Sequence, residues 1–299
     1  MIWLIGSNGM LGKELAKILA EKGIVFRGTD REVDIRDLGI LRRYASGEKI
    51  QWIINCSAYT AVDKAEEEED LAHSINATGA GNIAQVANEI GAVMIHISTD
   101  YVFKGDATFP YLESDLVNPQ GVYGRTKAEG EYLVINKCPR SFILRTSWLY
   151  GKYGQNFVTT MLRLMKERTD ITVVADQIGT PTWTFDLATV IISIIEQKYI
   201  NYGIYHYSNR GETTWFEFAC EIQRQAKYLG LLTHDCHITP ISSEQYFSKV
   251  KRPAWSVLSK EKIIKNFRIN PPEWKMSLSF FLNELLLNEF NIKSISSNK

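Results

Sequence analysis

The chain has 299 residues and a mass of 34.1 kDa, a length that points to about two domains at roughly 150 residues each. With 45% hydrophobic and 23% charged residues it holds enough apolar side chain for a large core and lies far from the composition of disordered chains. Lys+Arg 34 and Asp+Glu 34 cancel, which removes the basic field a nucleic-acid partner needs, and no apolar stretch reaches the ~20 residues of a membrane span.

The first apolar run, Ile2 to Ile5, leads through a glycine-rich turn into a helix with Leu11, Leu15, Ile18 and Leu19 on one face. Gly23 ends that helix, and a second run follows at Ile24–Phe26. Trp52–Ile54, Val93–Ile95 with Ile97, Phe142–Leu144 and Ile171–Val174 are further short runs separated by helical stretches. Short, almost fully apolar strands alternating with helices predict an α/β fold, a doubly wound parallel sheet of the Rossmann type covered on both faces. Beyond residue 148 aromatics and loop signals become denser, and Pro181, Pro240, Pro253 and Pro271-Pro272 break the periodicity. A smaller substrate-binding domain is therefore expected over 149–299, behind a dinucleotide-binding domain over 1–148, with a helix near 185–196 returning to the first. A last helix from about Trp274 carries Leu278, Phe281, Leu282 and Leu285 at helical spacing, and the tail 292–299 is expected to fray.

Some features have plain readings. Glu66 to Asp70 reads as the solvated first turn of a helix, where negative charge suits the dipole, and His96 as a histidine packed inside its strand. Cys56, Cys138, Cys220 and Cys236 are scattered without a CxxC pair, which fits a reducing compartment and a cytoplasmic location. The cluster His234, Cys236 and His237 offers too few ligands in one short segment for a structural metal, so no metal is expected.

Gly6-Ser7-Asn8-Gly9-Met10-Leu11-Gly12 is a GxxGxxG loop at a strand-to-helix junction. Glycines there let the backbone approach a pyrophosphate, and the helix start offers it N–H groups and a positive dipole end. Asp30 lies 18 residues beyond Gly12, near the offset of a carboxylate that bonds an adenosine ribose, and Arg31 follows it. Aspartate favours NAD and an adjacent arginine suits a 2′-phosphate, so the cofactor is NADPH or NADH.

Tyr123 and Lys127 are four residues apart, which on a helix puts both on one face. A free phenol has a pKa of ~10, and a neighbouring ammonium lowers it, so the pair suits acid catalysis, with Lys127 also able to bond the nicotinamide ribose. Ser98-Thr99-Asp100 at the end of the fourth strand can bring a hydroxyl beside that phenol.

The glycine loop, Asn55-Cys56-Ser57-Ala58-Tyr59-Thr60-Ala61-Val62-Asp63-Lys64-Ala65-Glu66, Ser98-Thr99-Asp100-Tyr101-Val102-Phe103, Tyr123-Gly124-Arg125-Thr126-Lys127 and Arg145-Thr146-Ser147-Trp148 together resemble an extended short-chain dehydrogenase/reductase. Within that superfamily they are similar to the dTDP-4-dehydrorhamnose reductases, a likeness that continues through Asp176 to Thr182 and Arg252-Pro253. The resemblance implies reduction of the 4-keto group of dTDP-4-dehydro-L-rhamnose, with Tyr123 as general acid, Thr99 orienting the oxygen and Lys127 holding the cofactor. It also implies that Gly6, Asn8, Gly9, Met10, Leu11, Gly12, Asp30, Arg31, Asp34, Ile35, Ala58, Tyr59, Thr60 and Ile97 surround the cofactor. Thr99, Asp100, Tyr101 and Trp148 would face the substrate, the indole stacking on sugar or thymine, with Arg252 at the diphosphate.

Two departures stand out. Gln120-Gly121 precedes the Tyr123 helix where a stiffer pair is expected, which predicts a looser approach. Some family members are dimers bridged by magnesium through glutamates. Glu14 matches one such position, but Phe185-Asp186 occupies the place of another, so a homodimer is left open and the metal bridge is not expected. The rival readings are a nucleotide-sugar dehydratase or epimerase, disfavoured because Tyr101 stands where the dehydratases carry a glutamate, and a non-catalytic dinucleotide-binding regulatory subunit.

Overall fold

A computed structural model of the chain describes residues 1–197 and 201–296, with side chains to residue 287. The first half alternates strand and helix: β1 (Ile2–Ile5), α1 (Met10–Glu21), β2 (Phe26–Thr29), α2 (Leu38–Ser46), β3 (Trp52–Asn55), the short α3 (Val62–Ala65) and α4 (Glu69–His73), α5 (Ala80–Glu89), β4 (Val93–Thr99), α6 (Val122–Lys137) and β5 (Ser141–Thr146). A π-helical turn, Ser74–Gly79, runs from α4 into α5. The second half adds β6 (Leu149–Tyr150), α7 (Phe157–Glu167), β7 (Asp170–Val174), β8 (Ile178–Gly179), β9 (Thr182–Trp183), α8 (Thr184–Ile195), β10 (Gly203–His206), β11 (Thr213–Thr214), α9 (Trp215–Tyr228), β12 (His237–Ile241), α10 (Glu261–Phe267) and α11 (Trp274–Ser296).

Six strands form one sheet in the order β10-β5-β4-β3-β1-β2, every pair parallel. Strand alternation sends Ile2 and Leu4 to one face and Trp3 and Ile5 to the other, and both faces are covered. Leu11, Leu15 and Leu19 of α1 pack with Leu187, Ile191 and Ile194 of α8 on the first face. Residues of α2, α5 and α6 cover the second. A separate core in the second half joins α7, β7, α9 and α11 through Met165, Ile171, Phe218, Ile222, Leu278 and Phe281.

The second strand, Phe26–Thr29, enters the ladder at Ile2–Phe26 just after the Ile2 N–H bonds the Val25 carbonyl, and it ends beside Asp30. One strand expectation is corrected. Ile171–Val174 lies outside the six-stranded sheet, paired in parallel with β12, and β10 takes the sixth place beside β5. The tail expected to fray from residue 292 begins inside α11, and residues 297–299 lie outside the described residues.

Candidate active site

Strand order reverses between β1 and β3, and in a sheet of this kind ligands bind in the crevice outside the carboxyl ends at such a point. The glycine loop leaves β1 there. Gly6 has φ +76°, and its N–H and that of Ser7 bond the Thr29 carbonyl at 2.8 and 3.0 Å, tying the loop to the end of β2. At Gly12 a Cβ would run into the Gly6 carbonyl, so only glycine lets α1 start this close to the strand. The N-cap, Gly9, provides no side-chain cap, which leaves the first N–H groups of α1 for an anion. Asp30 sits at the same loop: its carboxylate accepts the Asn8 and Arg31 backbone N–H groups, each at 3.0 Å. Asn8, Gly9 and Arg31 are exposed, Met10 is half-buried, and Leu11 turns into the core. This cradle fits a dinucleotide.

Of the other cofactor candidates, Asp34 is engaged by Arg36 at 2.7 Å, and that guanidinium holds the carboxyl below its ordinary range. Ile35 is buried in the α2–α5 core, and its carbonyl accepts from Asn82, so its side chain is a packing group. Ala58, Tyr59 and Thr60 follow β3 across the crevice. Asn76, buried in the π-helical turn, clamps that segment: Oδ1 accepts the Tyr59 N–H at 2.8 Å, and Nδ2 donates to the Tyr59 carbonyl and to Thr126 Oγ1, each at 3.1 Å. π-helical turns concentrate at functional sites.

The structure brings Thr99, Tyr123 and Lys127 together where β4 ends beside α6. Thr99 donates to Asp100 Oδ1 at 2.9 Å and lies close enough to the Tyr123 phenol to bear on its proton affinity. Burial pushes that phenol up to about 12, with the Asp100 charge adding and Thr99 opposing. The lowering by Lys127 expected from the sequence is not seen, because Lys127 Nζ turns to the Ile97 carbonyl at 2.6 Å and to His96 Nε2 at 3.3 Å. Burial brings Lys127 down to about 8, against the pull of Glu131 and Cys56. Asp100 is buried and raised to about 6 by burial, with the bond from Thr99 opposing. Tyr101 meets Tyr123 edge-on, ring centroids 5.5 Å apart, and burial raises its phenol as well. His96 is packed as expected, and it also touches Lys127.

Trp148, just past β5, has φ +47°, and one face of its indole is stacked on Trp215, centroids 3.5 Å apart and 8° from parallel. That face is therefore closed to a ligand, and any stacking on a sugar or thymine falls to the rest of the indole. Arg252, expected at a diphosphate, donates from Nη2 to Asp63 Oδ2 at 3.0 Å, while its buried Nε has no partner. Among the described residues no group of three or more His, Cys, Asp or Glu side chains is placed to hold a metal ion.

Three residues of this neighbourhood escaped the sequence reading. Glu66 Oε1 accepts the Val122 N–H at 2.8 Å and so caps the helix carrying Tyr123. A Cβ at Gly121 would sit 2.9 Å from that oxygen, so glycine admits the cap, and the looser approach expected of Gln120-Gly121 is corrected. The acidic run is exposed as expected, yet Glu67 pairs with Lys249, Glu68 accepts from Tyr59 and Glu69 from Arg125. Asn76 and Trp215 are the other two. For Trp215 a signal existed, since Thr214-Trp215-Phe216-Glu217 is a capping box, formed with Glu217 N–H to Thr214 Oγ1 at 3.1 Å.

The family described as RmlD substrate binding domain matches residues 1–287. The dTDP-4-dehydrorhamnose reductase of Aggregatibacter actinomycetemcomitans is 41% identical over 281 residues, 92% of this chain and 96% of that protein. Among solved structures, the dTDP-4-dehydrorhamnose reductase of Clostridium acetobutylicum superposes with a TM-score of 0.90 at 42% identity, covering 95% of this chain and 99% of that one. The Bacillus anthracis dTDP-4-dehydrorhamnose reductase in complex with NADP gives 0.89 at 40% identity, covering 95% and 98%. The chain belongs to the RmlD substrate binding domain family and, with these relatives, to the dTDP-4-dehydrorhamnose reductases, a family of oxidoreductases.

Proposed function

We infer that this chain reduces the 4-keto group of dTDP-4-dehydro-L-rhamnose to give dTDP-L-rhamnose, using NADPH or NADH. The observation that carries the reading is the Tyr123 phenol and the Thr99 hydroxyl brought side by side where β4 ends against α6, with Lys127 one helical turn on, at the carboxyl edge of the sheet. The NADP held by the Bacillus anthracis relative supports the cofactor assignment. When bound, the reduced nicotinamide supplies a hydride to the sugar carbon.

The chain's own residues do the rest. The N–H groups of Met10, Leu11 and Gly12 in the first turn of α1 hold the pyrophosphate, and Asp30 holds the adenosine ribose. At about 12, Tyr123 remains protonated throughout the neutral range, so its proton is available for the oxygen as that atom gains charge. Thr99 orients the oxygen, and the Lys127 ammonium stabilises the phenolate left behind. Trp148, backed by Trp215, forms a wall of the sugar-nucleotide site through its open edge, and Arg252 exchanges Asp63 for a diphosphate oxygen. The first core region, with α8 and β10, holds the cofactor, and the region after residue 148 built around the second core holds the substrate. Tyr101 beside Tyr123 favours reduction over water elimination, since no second carboxylate stands next to Asp100 to act as base.

The test mixes the protein with NADPH, or separately NADH, and the keto-sugar nucleotide, following loss of nicotinamide absorbance and identifying the product by NMR. Formation of dTDP-L-rhamnose is expected. Bound cofactor without oxidation, given a competent substrate, would overturn the reading in favour of a regulatory role.

A further inference from the structure

Behind Lys127 lies a row of side chains that the proposed chemistry does not use. His96 is fully buried in β4, and both ring nitrogens have neighbours: Nδ1 is 3.0 Å from Asn55 Nδ2, and Nε2 is 3.3 Å from Lys127 Nζ. The orientation of the Asn55 amide is settled from its far side. Its Oδ1 accepts the Ser57 backbone N–H at 3.0 Å and the Ser57 hydroxyl at 2.5 Å. A backbone N–H only donates, so turning the amide over would set two donors against each other. Asn55 Nδ2 therefore donates to Nδ1, and neutral His96 carries its proton on Nε2, aimed at Lys127.

Lys127 Nζ then meets an acceptor on one side, the Ile97 carbonyl, and an N–H on the other. An ammonium has three donors and nothing to give an N–H, whereas a neutral amine has a lone pair for it. We propose that His96, its tautomer dictated by Asn55 and Ser57, is a positioning residue that sets the pH at which Lys127 loses its proton. The inference rests on the roles given above to Tyr123 and Lys127. The charged and titratable groups facing Lys127 are Cys56 from the loop after β3, His96 from β4 and Glu131 from α6 itself. Cys56 and Glu131 favour the ammonium, and Glu131 is shared with Arg145. The His96 N–H acts in the opposite sense, beside burial, and keeps Lys127 titrating close to neutrality.

Reversing the tautomer should reverse the effect. In Asn55→Asp one carboxylate oxygen keeps the Ser57 N–H while the other accepts a hydrogen bond from the Nδ1–H, so Nε2 presents a lone pair to the ammonium. In His96→Gln, which adds no charge, the amide oxygen can take the same place. Both variants are expected to move the Lys127 titration, read by NMR of carbon-13 labelled lysine, to higher pH by about one unit, a tenfold change in proton affinity. The alkaline limb of kcat/KM at saturating NADPH should move with it, while a role in packing alone would lower the rate at every pH and leave the limb in place. In the unaltered protein, nitrogen-15 spectra should show the proton of His96 on Nε2. A proton on Nδ1, or a Lys127 titration unmoved in both folded variants, would overturn the inference. Because the NMR readouts need no turnover, they decide it even if the reductase reading fails.

Discussion

Replacing Glu131 by glutamine tests how α6, the helix that carries Tyr123 and Lys127, is held to the sheet. Arg145 of β5 donates from Nε at 2.9 Å and from Nη2 at 2.6 Å to the two oxygens of Glu131, and the side chains are only 2% and 4% exposed. Breaking a buried pair from one side leaves a charge without compensation, at about 3–5 kcal/mol. Glutamine keeps one acceptor, and the guanidinium keeps its place over the Phe103 ring at 5.0 Å, which puts the expected loss at the lower end, about 3 kcal/mol. Urea unfolding followed by tryptophan fluorescence measures it. A paired replacement, Arg145→Met with Glu131→Leu, removes both charges and should recover more than half of that loss. Glu131 also favours the Lys127 ammonium, so the single variant should lose activity at lower pH than the parent. A stability change under about 1 kcal/mol would refute the reasoning, since it would mean that water reaches a pair that the packing shows as sealed.

Burial raises Asp100 from 3.8 to about 6, so the folded chain binds this proton more tightly than the unfolded one. The stability it contributes is complete below pH 4 and lost as pH rises through 6, so Asp100→Asn should gain on the order of 3 kcal/mol relative to the parent between pH 4 and pH 8; parallel stability curves would contradict this. Glu66→Ala should cost about 1 kcal/mol by uncapping α6, with Glu66→Gln retaining most of it, as thermal unfolding can show. Trp215→Ala should weaken binding of the sugar nucleotide while leaving NADPH affinity unchanged, and should remove the near-ultraviolet circular dichroism of the stacked pair.

What was legible in the sequence follows the range of the interactions concerned. Trp52–Asn55, Val93–Thr99 and Ser141–Thr146 lie inside a sheet covered on both faces, so each holds consecutive apolar residues, Trp52–Ile54, Val93–Ile95 and Phe142–Leu144, and those runs stand out. Gly203–His206 passes unnoticed because an edge strand with one partner needs no such run, and its Gly203 and His206 disguise it. Ile171–Val174 shows the converse, an apolar run that is a genuine strand but pairs with Pro240-containing β12 in a sheet of its own. The glycine loop and the Tyr123–Lys127 spacing were readable because each depends on neighbours within one or two turns of chain. Glu66 reaches Val122 across 56 residues, Asn76 reaches Thr126 across 50 and Arg252 reaches Asp63 across 189, and such partners leave no local pattern. His96 was readable as buried but not as a neighbour of Lys127, because β4 and α6 meet only in the folded sheet.

The central claim is that Tyr123 gives the proton, and single-turnover reduction of the keto-sugar nucleotide by Tyr123→Phe loaded with NADPH tests it most directly. The ring and its edge-on contact with Tyr101 are kept, and only the hydroxyl beside Thr99 is removed. Loss of a positioned acid should slow the step by about 10²–10⁴-fold, with NADPH affinity within threefold of the parent. A single-turnover rate within tenfold of the parent, at equal cofactor occupancy, would contradict the assignment.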